Sequence, residues 1–234
     1  MIAIAIVIAT LLSYALGALF GIPALLPILN AAAGVPFMIG ALRRGDLRLA
    51  VARMLLWALT MGVCATLWSY TRPAQTDALF LRAAPYRIAM FAWVLTGKGA
   101  ESAPLQFIPE HARHAAVFSA LAVASGSLLA MPMGAVLMNY MGHYVGTLAG
   151  AGRHPVWTMV LGWHPWAVIR IASFVVIGVV LSVPVLSRIT EIHVDRRRAR
   201  RLLLLAASGL LADVLLKSLL APAWQRLLLR ATGW

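Results

Sequence analysis

The sequence predicts an all-α, polytopic integral membrane bundle of six to seven transmembrane helices with interfacial or re-entrant segments, built by residues 1–234 as a single transmembrane domain. Three observations carry that expectation. Hydrophobic residues make up 62% of the chain against 12% charged, and the mean hydropathy is +0.87. A soluble domain of this size could not withdraw so much apolar surface from water. Several apolar runs of about 20 residues match a hydrocarbon core of about 30 Å at about 1.5 Å per residue. The short alternating segments of a β-barrel are absent.

The net charge of +13 has its cause in the same environment. The arginines cluster at the ends of apolar runs, where the positive-inside bias and anionic headgroups favour them. The expected partner is therefore the lipid bilayer, with no nucleic acid. The expected location is the bacterial inner (plasma) membrane, with loops 43–53 and 188–201 cytoplasmic. Cys64 is the only cysteine, so the chain can form no internal disulfide and no Cys-x-x-Cys metal site. No basic region precedes the first apolar run, which does not read as a cleaved signal peptide.

Residues 1–21 form the first expected span, and 22–42 follow directly with Pro23, Pro27 and Pro36. A continuous helix of that combined length would be about twice as long as the membrane is thick, so the chain must break, most simply at Gly21-Ile22-Pro23. The second segment is expected to span, with a re-entrant hairpin as the alternative. Residues 49–69 span and end at the interfacial pair Trp68 and Tyr70. Residues 79–97 reach spanning length only by including Arg82 and Arg87. Segment 165–187, opened by Pro165, and segment 202–221 are further spans. The tail after Pro222 has the pattern of an amphipathic interfacial helix.

Two arginine-rich loops on one side require an even number of crossings between them. Segments 49–69 and 165–187 supply two. The others are either 79–97 plus one long helix over 113–138, or a hairpin of 113–131 and 133–150. The first arrangement is favoured, because Asn139, His143 and the neighbouring glycines suit a helix end. It places His111 and His114 on the cytoplasmic side.

Candidate chemistry concentrates between Phe107 and Gly150. Glu110 and His114 are four residues apart and His111 and His114 three, so on a helix all three could face one ligand or proton path. This donor set suits a divalent metal ion, with Glu110, His111 and His114 as ligands. The order Glu-His-x-x-His is not the His-Glu-x-x-His of metalloproteases. The competing account is a helix start, with Pro109 in the first turn and Glu110 facing the positive dipole end. Asn139 and His143 share a second face. Asp213 and Lys217 lie four apart in the last span, where they could neutralise each other; Lys217 could also snorkel, whereas Asp213 needs a partner.

These residues predict a small transporter or permease-type component moving a proton, metal ion or small polar solute. Its path would comprise Glu110, His111, His114, Asn139, His143 and Asp213. The alternative is a membrane-embedded enzyme using Glu110 as base or ligand and His111 and His114 as ligands or acid/base groups. A third reading is a non-catalytic subunit whose polar residues meet a second copy of the chain or a partner membrane subunit. No Walker loop, dinucleotide fingerprint or nucleophile elbow is present.

Overall fold

A computed structural model describes residues 1–234 as ten α-helices and one turn of 3-10 helix, with no strand. Five helices are long and apolar enough to cross a membrane: α1 (Ile2–Phe20), α2 (Leu25–Leu42), α3 (Leu47–Thr71), α9 (Pro165–Ile189) and α10 (Arg196–Thr232). Helices α6 (Pro104–Ser125) and α7 (Ala130–Ala151), with 22 residues each, run among them. Helices α4 (Pro73–Leu79), α5 (Ala83–Thr96) and α8 (Pro155–Gly162) are too short to cross.

The chain turns where residues of the left-handed region allow it. Gly21, at φ +65°, closes α1, as the sequence predicts. The two arginine-rich loops meet at one end of the bundle: a Cβ on Gly45 would come within 2.9 Å of the His193 carbonyl oxygen. The α6–α7 turn lies at this same end, because Gly126 abuts Leu186 and Val185 near the end of α9. At the opposite, distal end, the Arg153 N–H donates to the Thr232 carbonyl, joining the end of α7 to the end of α10.

Three expectations need correction. Residues 79–97 are not one helix: Phe80 is extended and Arg82 sits at φ +55°, which separates α4 from α5. The long helix over 113–138 does not form either. Gly126 (φ +59°) and Ser127 (φ +70°) reverse the chain, Ser127 Oγ donates to the Gly178 carbonyl at 2.5 Å, and Ser125 Oγ accepts the Leu129 N–H. His111 and His114 consequently lie toward the distal end, away from the arginine loops. Finally, the last span and the tail are one 37-residue helix that passes through Pro222, about 55 Å long. Past the proline, Trp224 Nε1 donates to the Leu161 carbonyl and Gln225 Nε2 to the Val94 carbonyl, which anchors this segment inside the bundle.

Helices α3 and α7 form the tightest pair. A Cβ on Gly142 would overlap Ala65, and one on Gly146 would overlap the Thr66 carbonyl, so glycine at both positions is what permits the approach. Next to this seam a closed polar network ties three helices together. Tyr14 donates to Asn139 Oδ1, Asn139 Nδ2 to Asn30 Oδ1, and Asn30 Nδ2 to Ser13.

The shared end of the arginine loops is open to direct measurement. In a Cys64→Ser background, single cysteines at the exposed positions Arg44 and Glu191 should react with an impermeant maleimide from the same side of sealed vesicles. These positions leave the helix-capping Asp46 and Asp195 intact. Reaction from opposite sides would contradict the helix directions described above.

Candidate functional site

Helix α5 packs on α7 and α10, whereas α6 packs chiefly on α9. The two diverge, and between them lies a cavity of about 720 Å³ lined mostly by hydrophobic side chains. Its composition is layered. On α6 the lining passes from His111 to Phe118, on α9 from Arg170 to Phe174, on α10 from Lys217 to Leu210, and on α7 from Tyr140 to Met131. In each case the polar residue lies nearer the distal end. The cavity is thus charged distally and apolar toward the bundle centre.

Asp213 occupies the middle of the charged layer and is 1% exposed. Its Oδ2 faces His111 Nδ1 at 3.3 Å and Arg170 Nε at 3.9 Å. Arg170 also hydrogen-bonds His111 Nε2 through its guanidinium. An arginine can only donate, so Nε2 accepts, which assigns the His111 proton to Nδ1 and directs it at Asp213. His111 therefore bridges a fixed cation and a fixed anion. Asp213 Oδ1 is buried and has no hydrogen-bond partner.

Glu101 and Lys217 form the adjoining pair, 2.7 Å apart. Lys217 is 1% exposed, and its ammonium stands 4.3 Å from the centre of the Phe107 ring. It does not snorkel, and its partner is Glu101 rather than Asp213, a correction to the expected i, i+4 pair. The reason is the 3-10 turn Ala100–Ser102, which lays Glu101 over α10. Burial alone would raise the Glu101 carboxyl pKa, but Lys217 and Arg170 more than offset it and hold the group below its ordinary value. Burial pushes His164 down to about 4, so it is neutral.

The structure divides the residues singled out in the sequence into four groups. His111 and Asp213 meet in the charged layer. Glu110 and His114 line the cavity at its rim, where Glu110 Oε1 pairs with Arg113 at 2.7 Å and lies 3.4 Å from His114 Nε2. Asn139 belongs to the structural network with Tyr14 and Asn30. His143 packs elsewhere, its Nε2 2.8 Å from Asp77 Oδ1 and its Nδ1 within 3.1 Å of the Ser69 and Thr76 hydroxyls. Glu110, His111 and His114 do not converge, since His111 turns to Asp213 while Glu110 turns to Arg113. No three His, Cys, Asp or Glu side chains are arranged to hold a metal ion.

Arg82, Glu101 and Arg170 were not singled out in the sequence. Arg170 had a legible signal, an arginine about one and a half turns inside an apolar span. Glu101 had none, since it sits in a mixed loop whose path only the fold reveals, and Arg82 counted only as a charge near the end of segment 79–97. Neither the family models, nor the curated proteins, nor the solved structures compared with this chain give a match.

The burial difference between the two acids fixes their expected importance. Asp213→Asn removes the charge facing His111 and Arg170, and should destabilise the protein by about 3–5 kcal/mol, the usual effect of breaking a buried pair. Glu110→Gln, at a side chain 47% exposed, should change stability by about 1 kcal/mol or less. Equal effects on the melting temperature of the detergent-purified protein would contradict this description.

Proposed function

We propose that the protein is a permease-type membrane component that binds its solute in the cavity between α5 and α6, with Asp213, His111 and Arg170 as the element that responds to it. The observation that carries the reading is Asp213, a residue of the cavity lining whose buried Oδ1 has no hydrogen-bond partner. Ionisable groups are costly in hydrocarbon and mark solute or proton pathways when retained there. Here they form a network of exchangeable pairs. A solute donor that binds Oδ1 competes with His111 and Arg170 for the carboxylate, and shifting that balance is a means of coupling occupancy to helix position.

The enzyme reading keeps one specific support. A carboxylate that orients a histidine Nδ1–H leaves Nε2 directed elsewhere, as in general-base catalysis. In this protein Nε2 is engaged by Arg170, which favours binding over proton abstraction. A permease requires access from both sides of the membrane, whereas an enzyme requires only one.

That difference gives a test that needs no knowledge of the solute. Ala115 lines the cavity and is small, so Ala115→Cys in a Cys64→Ser background perturbs little. The thiol should react with an impermeant maleimide in both right-side-out and inside-out vesicles. Asp213→Asn should shift the ratio of the two rates. Labelling confined to one orientation in every variant would overturn the permease reading in favour of the enzyme.

A further inference from the structure

Four cationic side chains line the cavity, Arg82, Arg113, Arg170 and Lys217, against the three carboxylates Glu101, Glu110 and Asp213. Arg113 is matched by Glu110, Lys217 by Glu101, and Arg170 by Asp213. Arg82 makes no ion pair within 4 Å. The lining therefore has one cation beyond its acids, the exposed Arg82, with which a bound anion would pair. It also has one surplus buried acceptor, Asp213 Oδ1, which a bound donor would fill. A ligand that satisfies both carries a negative charge and a hydroxyl or ammonium group.

The remainder of the cavity describes what is attached to that head. From the charged layer toward the bundle centre its walls are Phe118, Phe174, Met131, Met138 and Trp57, with no charged group among them. The aromatic and thioether surfaces there are suited to a flexible chain. Charge at the distal end and hydrocarbon toward the middle is the orientation of a lipid in the distal leaflet. The volume lies within the range of about 300–1,000 Å³ typical of small-molecule sites. Ala89, Ile108 and Leu211 line the cavity and are also exposed, beside the exposed Arg82, Glu110 and Arg113, so its rim offers apolar surface as well as charge.

Resting on the permease reading of the same cavity, we propose that its ligand is a glycerophospholipid-class amphiphile of the distal leaflet. The phosphate lies among Arg170 and Arg82. A hydroxyl or ammonium of the headgroup donates to Asp213 Oδ1, and one acyl chain lies along Phe118, Phe174 and Met131. The gap between α5 and α6 leaves the rest of the molecule in the bilayer and provides lateral access. The chemistry that selects the ligand is the conjunction of phosphate and donor: a phosphocholine head supplies the first without the second.

Equilibrium photocrosslinking tests this without any transport step. The protein is equilibrated in detergent with diacyl phospholipids that share the same two acyl chains, one bearing a diazirine, and carry phosphoglycerol, phosphoethanolamine or phosphocholine heads. Tailless glycerol phosphate serves as competitor. The phosphoglycerol and phosphoethanolamine probes should label peptides containing Phe118 or Met131 at about ten times the yield of phosphocholine, the factor expected for satisfying one buried acceptor. Arg82→Gln disrupts no ion pair and should lower that yield severalfold at unchanged thermal stability. Asp213→Asn should abolish the preference among heads. Equal capture of phosphocholine, or labelling spread equally over the outward face of α1, would overturn the proposal. Displacement by glycerol phosphate would overturn its lipid part and identify a soluble organophosphate instead. Failed capture leaves the two-sided thiol access of the permease reading standing, and one-sided access leaves successful capture standing.

Discussion

A carboxylate in hydrocarbon has no water to solvate it, and Asp213 is placed where it must be solvated by protein. That constraint organises the distal half of the molecule. His111 is brought in from α6 and Arg170 from α9, each aimed at the same oxygen. The neighbouring Lys217 imposes the same demand with opposite sign, and Glu101 is folded over it from the 3-10 turn. Removing either acid would leave a buried cation without its partner, a larger penalty than the pair's own contribution to stability. These pairs fix which helices can be neighbours there more than they add to the net free energy of folding.

The rest of the bundle makes room for this cluster by packing tightly elsewhere. Gly142 and Gly146 let α7 lie against the backbone of α3, and Gly34 seats the Trp57 ring. Because α7 is committed to α3, and α6 to α9, the two arms of the α6–α7 hairpin splay from their turn at Gly126. The cavity is the space between them. Helix α5, too short to cross, closes part of that space from the α7 side and leaves the flank toward α6 apolar. Asp213 Oδ1, on a residue that lines this space in its distal layer, is left without a protein partner, which links the packing to the proposed ligand.

Much of the architecture was legible because it follows from periodicity and length. The break at Gly21, the proline-led start of α9 and the spans 1–21, 49–69 and 165–187 all rest on local chemistry, and the helices follow them. What failed depended on tertiary context. Pro222 ends a helix by local rules, yet the hydrogen bonds of Trp224 and Gln225 to neighbouring helices carry α10 through it. The stretch 113–138 has the apolar continuity of one helix, and two residues, Gly126 and Ser127, reverse it. The site was half legible for a similar reason. His111 and Asp213 announced themselves as ionisable groups in apolar sequence, but nothing in the sequence gave their pairing across about a hundred residues. The i, i+4 spacing of Asp213 and Lys217 pointed instead to a local pair, which loses to Glu101 and His111 because those groups arrive with better-directed atoms. Asn139 and His143, equally conspicuous, are fully engaged by neighbours and have a structural account in the fold.

The central claim is that Asp213 Oδ1 is an acceptor kept for a ligand within a laterally open cavity. A crystal structure grown from a lipid mesophase doped with phosphatidylglycerol tests it most directly. The expected result is an elongated molecule between α5 and α6, with a head-group donor about 3 Å from Asp213 Oδ1 and its chain against Phe118 and Met131. The claim is contradicted if α5 and α6 close over the site and a protein group, rather than a ligand, donates to that oxygen.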